Sequence, residues 1–115
     1  MKKLLFAIAL VPLTFQAGHA ADLGGGYCQL VQPSQLMTIE SNSQLSDEVV
    51  RLMTEAVNVA DDDRWIDSTS PAFTWASEAK VACGKAYGYL RTNTRDAENI
   101  NKCECFHQRM VSYMY

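Results

Sequence analysis

Beyond its first twenty residues the chain has no second long apolar run, so nothing there reads as a transmembrane helix. It also lacks a dense basic stripe. Lys80, Lys85, Arg91, Arg95, Lys102 and Arg109 are too widely spread to track a phosphate backbone, which argues against a nucleic-acid partner. There is no Gly-x-Ser-x-Gly elbow, and His107 is the one histidine left once His19 is assigned to a leader, so a Ser-His-Asp hydrolase has little to assemble from. Thiol redox enzymes separate their cysteine pair by two residues at a helix start, whereas Cys103 and Cys105 are separated by one. Asp61-Asp62-Asp63 has neither the spaced acids nor the glycine and distal glutamate of an EF-hand loop. These gaps leave no diagnostic active site, and the expectation is a protein that is not an enzyme and needs no cofactor.

What is present begins with a basic start, Met1-Lys2-Lys3, and an apolar run from Leu4 to Phe15 that is too short for a stable anchor. Residues 1–20 are read as a signal peptide, with Gly18 and Ala20 as the small residues before the cleavage point. Cys28 lies well past that point, which speaks against lipidation. Residues 21–27, with Gly24-Gly25-Gly26, are expected to be a flexible amino terminus, and 28–115 a single domain in the periplasm or outside the cell. Without the leader the chain has 8 basic and 13 acidic side chains. From Asp22 to Asp67 there are 9 acids and 2 bases, and from Ser68 onward 4 acids and 6 bases. The acidic half is therefore the better candidate for meeting a basic partner, with Asp61, Asp62, Asp63 and Trp65 as candidate contact residues.

The punctuation predicts an all-α fold of three to four helices. Leu30, Val31, Leu36, Met37 and Ile39 around Pro33 suit either a short helical turn or an extended arm on the core, and Ser41-Asn42-Ser43 reads as a loop. A first helix is expected from a Ser46 cap, with Leu45 and Val50 as a hydrophobic staple, ending near Asp61-Asp62-Asp63. Its apolar face is Val49, Leu52, Met53, Ala56, Val57 and Ala60. A second helix starts at Ser70-Pro71 and stops near Asn93, with the seam Ala72, Ala76, Ala79, Cys83, Ala86 and Leu90. Alanines along that seam let a neighbour approach closely, and Gly84 and Gly88 predict a second close contact on another face. Asn101 is expected to cap the last helix reciprocally with Glu104, after a short turn at most between Thr94 and Ile100, and Cys103, Phe106, Met110 and Met114 form its apolar stripe.

All four cysteines, Cys28, Cys83, Cys103 and Cys105, lie beyond the leader, and an even count in an exported chain implies two disulfides. Residues two apart on a helix point about 200° from each other, so Cys103 and Cys105 should reach different partners. With Cys103 facing the core, the favoured pairing is Cys83 with Cys103 and Cys28 with Cys105, each bridge adding about 2–4 kcal/mol. The rival reading is a soft-metal or thiol-redox site using Cys103, Cys105 and His107, with Met110 in reach. It fits poorly on a helix, where Cys105 faces away from the other two.

Cys83 followed by Gly88-Tyr89-Leu90 in one helix, then a cysteine at the start of a terminal helix carrying Gln108, Val111 and Tyr113, resembles the small exported Rap1a/Tai-type immunity proteins. The resemblance spans parts of two helices. It implies an all-helical periplasmic fold that binds and blocks a cell-wall amidase. The functional expectation is a protein-binding module of inhibitor, immunity or envelope-accessory type, whose partner is another envelope or secreted protein.

Overall fold

The computed structural model describes Cys28 and residues 34–115. The expected leader, cleavage point and flexible amino terminus lie outside the described residues, as do Leu30, Val31 and Pro33. A 3-10 turn, Gln35–Thr38, is followed by α1 (Asn42–Ala60), the short α2 (Asp63–Ile66), α3 (Ala72–Arg91) and α4 (Ala97–Met114), with no strand among the described residues. The fold is all-α and stapled by two disulfides. Helix α3 is central and packs against both α1 and α4, which touch each other far less. No helix among the described residues is long and apolar enough to cross a membrane.

The seam of α3 is buried at every expected position, from Ala72 through Ala76, Ala79, Cys83 and Ala86 to Leu90. Ser70 supports its start by accepting from Ala72 N at 3.3 Å, and the same hydroxyl donates to the Tyr113 carbonyl at 3.0 Å. That second bond ties the beginning of α3 to the end of α4. At the other end Asn93 takes φ 61°, the left-handed conformation asparagine tolerates, while Thr94 N bonds Tyr89 O and Asn93 N bonds Leu90 O. Together these form a Schellman stop.

Both flanking helices begin five residues earlier than their local cap signals indicate. Ser41 is the cap of α1, accepting from Gln44 N at 3.3 Å, so the expected loop Ser41-Asn42-Ser43 is the helix start and Ser46 is internal. Leu45 accounts for the shift: it is fully buried, in register with Val49, Leu52 and Ala56, and its burial outweighs the cap that Ser46 could offer. The same holds at α4. Fully buried Ile100 joins the stripe of Cys103, Phe106 and Met110, which requires a helix already running from Ala97. Asn101 is therefore inside the helix, its Oδ1 buried without a partner, and Glu104 is buried instead of capping.

The glycines also depart from expectation. A Cβ on Gly84 would meet the Met53 sulfur at an ordinary 3.9 Å, and one on exposed Gly88 would meet nothing within 4 Å. Neither position forms a close helix contact, so Gly88→Ala should only relieve the backbone-entropy penalty of glycine in a helix. An increase in stability of about 0.5–1 kcal/mol in guanidinium denaturation is expected; a decrease would mean that α3 is more tightly approached there.

Candidate functional site, a cleft between the first and last helices

The two bridges set the geometry of α4. Cys83 and Cys103, both fully buried, join α3 to α4 with their Cα atoms 4.6 Å apart. Cys105 turns away and joins Cys28, fastening the amino-terminal segment to the same helix. This is the pairing that helical geometry favours. It leaves no free cysteine among the described residues, so the sulfurs of the Cys103, Cys105 and His107 alternative are in covalent bonds and are not thiolates. No group of three or more His, Cys, Asp or Glu suited to a metal ion occurs among the described residues.

Between its bridged cysteines α4 carries Glu104, which is only 7% exposed. The Ser34 hydroxyl donates to Glu104 Oε2, and Ser34 also accepts from Leu36 N at 3.2 Å, so the serine both caps the 3-10 turn and places it against α4. One turn along, the His107 ring nitrogen Nε2 lies 2.5 Å from Glu55 Oε2 of α1, with its side chain 12% exposed. Glu55 belongs to a row on α1. Arg51 forks to Glu48 at 2.5 Å and reaches Glu55 at 2.8 Å. Where α1, α4 and the turn meet there is an open cleft of about 400 Å³. Its apolar walls are Leu36, Ile39 and Leu52; Glu48, Arg51, Glu104, His107 and Gln108 supply polar groups from the helices, and Gln35 and Thr38 from the turn.

The cleft is held from both ends. Arg95, in the link between α3 and α4, donates to Asn42 Oδ1 at 2.6 Å and to the carbonyls of Ile39 and Glu40 at 2.5 and 2.7 Å, fixing the segment that leads from the turn into α1. At the other end the His107 to Glu55 bond crosses from α4 to α1. The serine and histidine do not work together: the Ser34 hydroxyl is bonded to Glu104 and the imidazole to Glu55, so neither bond pairs nucleophile with base. The arrangement offers carboxylates, a guanidinium and amides for recognition.

No protein family, curated protein or solved structure matches the chain. The site therefore stands on its own geometry.

Asp61, Asp62, Asp63 and Trp65 lie elsewhere. Asp61 closes α1, and Asp62 caps α2 through Arg64 N at 2.9 Å while pairing with the Arg64 guanidinium. They follow the carboxyl end of α1, roughly 14 Å along its axis from Leu52 at 1.5 Å per residue. Trp65 and Trp75 are half-buried against the core, Trp75 with its ring 5.8 Å from Phe106. Sequence reasoning did not single out Glu48, Arg51, Glu55 or Glu104 for the site. Spacings of three and four along α1 do signal the ion-paired row. For Glu104 the signal is its place between two cysteines that must both be covered.

Arg51 holds the Glu48 carboxyl below the usual carboxylate range, mainly by its hydrogen bonds and further by charge, against the smaller opposing effect of burial; His107 adds to the lowering. A lowered carboxylate pKa contributes stability that is present above the unfolded value near 4.5 and is lost as pH falls through the folded value. Glu48 is 35% exposed, so solvent screens the pair and its worth is about 0.3–0.5 kcal/mol. Arg51→Met removes the Glu55 pair as well and should lower stability by about 0.5–1 kcal/mol at pH 7. The difference from the parent should shrink in denaturation curves as pH falls below 4.5.

Proposed function

We propose that this chain is an exported, non-enzymatic protein-binding module of inhibitor, immunity or envelope-accessory type, working in the periplasm or outside the cell. The observation that carries the reading is the cleft: a concave site of about 400 Å³ with apolar walls and converging charged groups, on a scaffold stapled twice through α4. Disulfides persist in oxidising compartments, which agrees with export. The basic leader with its apolar run supports the same route. The Rap1a/Tai-type resemblance in α3 and α4 supports the immunity arm, with a cell-wall amidase as the partner to be blocked.

The test is affinity capture from envelope extract with the tagged, oxidised chain, followed by an activity assay on any captured enzyme. Stoichiometric capture of one envelope or secreted protein is expected, with loss of that protein's activity if it is an amidase. An empty capture together with stoichiometric copper or zinc on the purified chain would sink the reading in favour of metal handling. That alternative needs reduced cysteines, and free-thiol titration of protein made in an oxidising compartment is expected to find none.

A further inference from the structure

The cleft carries an unbalanced charge that identifies what it takes. The carboxylates of Glu48 and Glu104 line it, with one guanidinium, Arg51, and the imidazole of His107; Arg51 is shared between Glu48 and Glu55, a carboxylate outside the lining that also holds His107. Glu104 is more than nine-tenths buried and lines the cleft, yet among the described residues its bond is to the neutral Ser34 hydroxyl and no cation pairs with it. Bonded to one neutral hydroxyl, this carboxyl keeps lone pairs for a further donor, and a cationic donor brought in from outside makes the stronger hydrogen bond. Leu36, Ile39 and Leu52 line the same cleft as this carboxylate. Apolar walls beside buried and half-buried carboxylates match a side chain with an aliphatic stem and a charged head.

We propose that the cleft receives an arginine side chain presented by the partner protein, its stem against Leu36, Ile39 and Leu52 and its guanidinium on Glu104 and Glu48. This rests on the protein-binding reading above. Arginine fits better than lysine because its planar fork can hold two carboxylates at once and is more readily desolvated. A protein is favoured over a free small cation because the acidic character extends well beyond the cleft, with 9 acids against 2 bases from Asp22 to Asp67. Such a field steers a basic surface as a whole and is of little use to a single amino acid.

The test titrates the oxidised full chain with a capped Gly-Arg-Gly peptide and its norleucine counterpart, following backbone amide shifts by NMR. Saturable shifts at Leu36, Ile39, Leu52, His107 and Gln108 are expected with the arginine peptide and not with norleucine. Glu104→Gln, which keeps an acceptor for Ser34, and the more exposed Glu48→Gln should each weaken binding about tenfold or more, as loss of a charge-assisted hydrogen bond does; Asp61→Asn should leave it unchanged. Equal binding of norleucine overturns the proposal, as do shifts centred on Asp61 to Asp63 that the cleft variants leave intact. Free spermidine or arginine outcompeting the peptide would overturn the protein source. If the cleft variants capture the same envelope protein as the parent, the arginine site fails while the binding module stands. If the parent captures nothing, the binding module itself fails, and the partner as source of the arginine with it.

Discussion

Reducing both disulfides is expected to unfold the domain at 37 °C. The bridge between Cys83 and Cys103 closes 20 residues and that between Cys28 and Cys105 closes 77, which in the chain-entropy picture corresponds to about 3 and about 4.5 kcal/mol. The two are not independent. With Cys83 and Cys103 joined, the unfolded ring closed by Cys28 and Cys105 can short-circuit through the first bridge, so its contour falls to roughly 57 residues and its share to about 4 kcal/mol. The sum of about 7 kcal/mol is comparable with the whole stability of a domain of this size, about 0.05–0.15 kcal/mol per residue. Guanidinium transitions followed by circular dichroism, with and without a phosphine reductant, measure it. The oxidised chain should give one cooperative transition and the reduced chain little or none at 37 °C. The paired variants Cys28→Ser with Cys105→Ser, and Cys83→Ala with Cys103→Ala, should each stay folded at 25 °C with one bridge left. A reduced chain within about 1 kcal/mol of the oxidised one would show that helix packing alone holds the fold, because the loop estimate leaves no room for so small a loss.

The same bridges explain why the core was easier to read from sequence than the site. Seam positions on α3 repeat at three and four without interruption, and with Cys103 facing inward helix geometry favours the pairing that is found, Cys83 with Cys103 and Cys28 with Cys105. Periodicity and helix geometry are local properties, so they survive translation into structure. Cap positions are local as well, but they compete with burial. Ser46 and Asn101 each offer a good cap, and each lost to an apolar residue just before it, Leu45 and Ile100, both fully buried. The cleft is different in kind. Its decisive contacts join Ser34 to Glu104 and Glu55 to His107, 70 and 52 residues apart, and no periodicity announces them. Counting charge marks one half of the chain as acidic, but counting cannot tell which acids share a concave face. Asp61 to Asp63 form the densest run, and they sit where α1 ends and α2 begins, away from the cleft.

Ala79→Leu is expected to cost about 3 kcal/mol and to loosen the cleft as well. Ala79 is fully buried near the middle of α3, the helix clasped by both neighbours, one turn before Cys83 on the same face and therefore directed towards α4. Leucine adds three carbons at a point where alanine permits a close approach, and overpacking of this kind costs about 1–3 kcal/mol. The upper end of that range is expected because relief is blocked on one side. The Cys83 to Cys103 bridge holds α4 against α3 one turn away, so α4 cannot translate and has to pivot about the bridge. A pivot moves His107, four residues beyond Cys103, away from Glu55, and it widens the gap between α1 and α4 in which the cleft lies. Denaturation measures the stability loss, and the imidazole resonances of His107 report whether its carboxylate partner is retained. Val81→Leu, on the exposed face of the same helix, serves as the comparison and should change stability by less than about 0.5 kcal/mol. A leucine at 79 that lowers stability yet leaves the His107 resonances unchanged would mean that the strain is taken up between α3 and α1, and that the cleft wall is stiffer than a single cross-helix bond would make it.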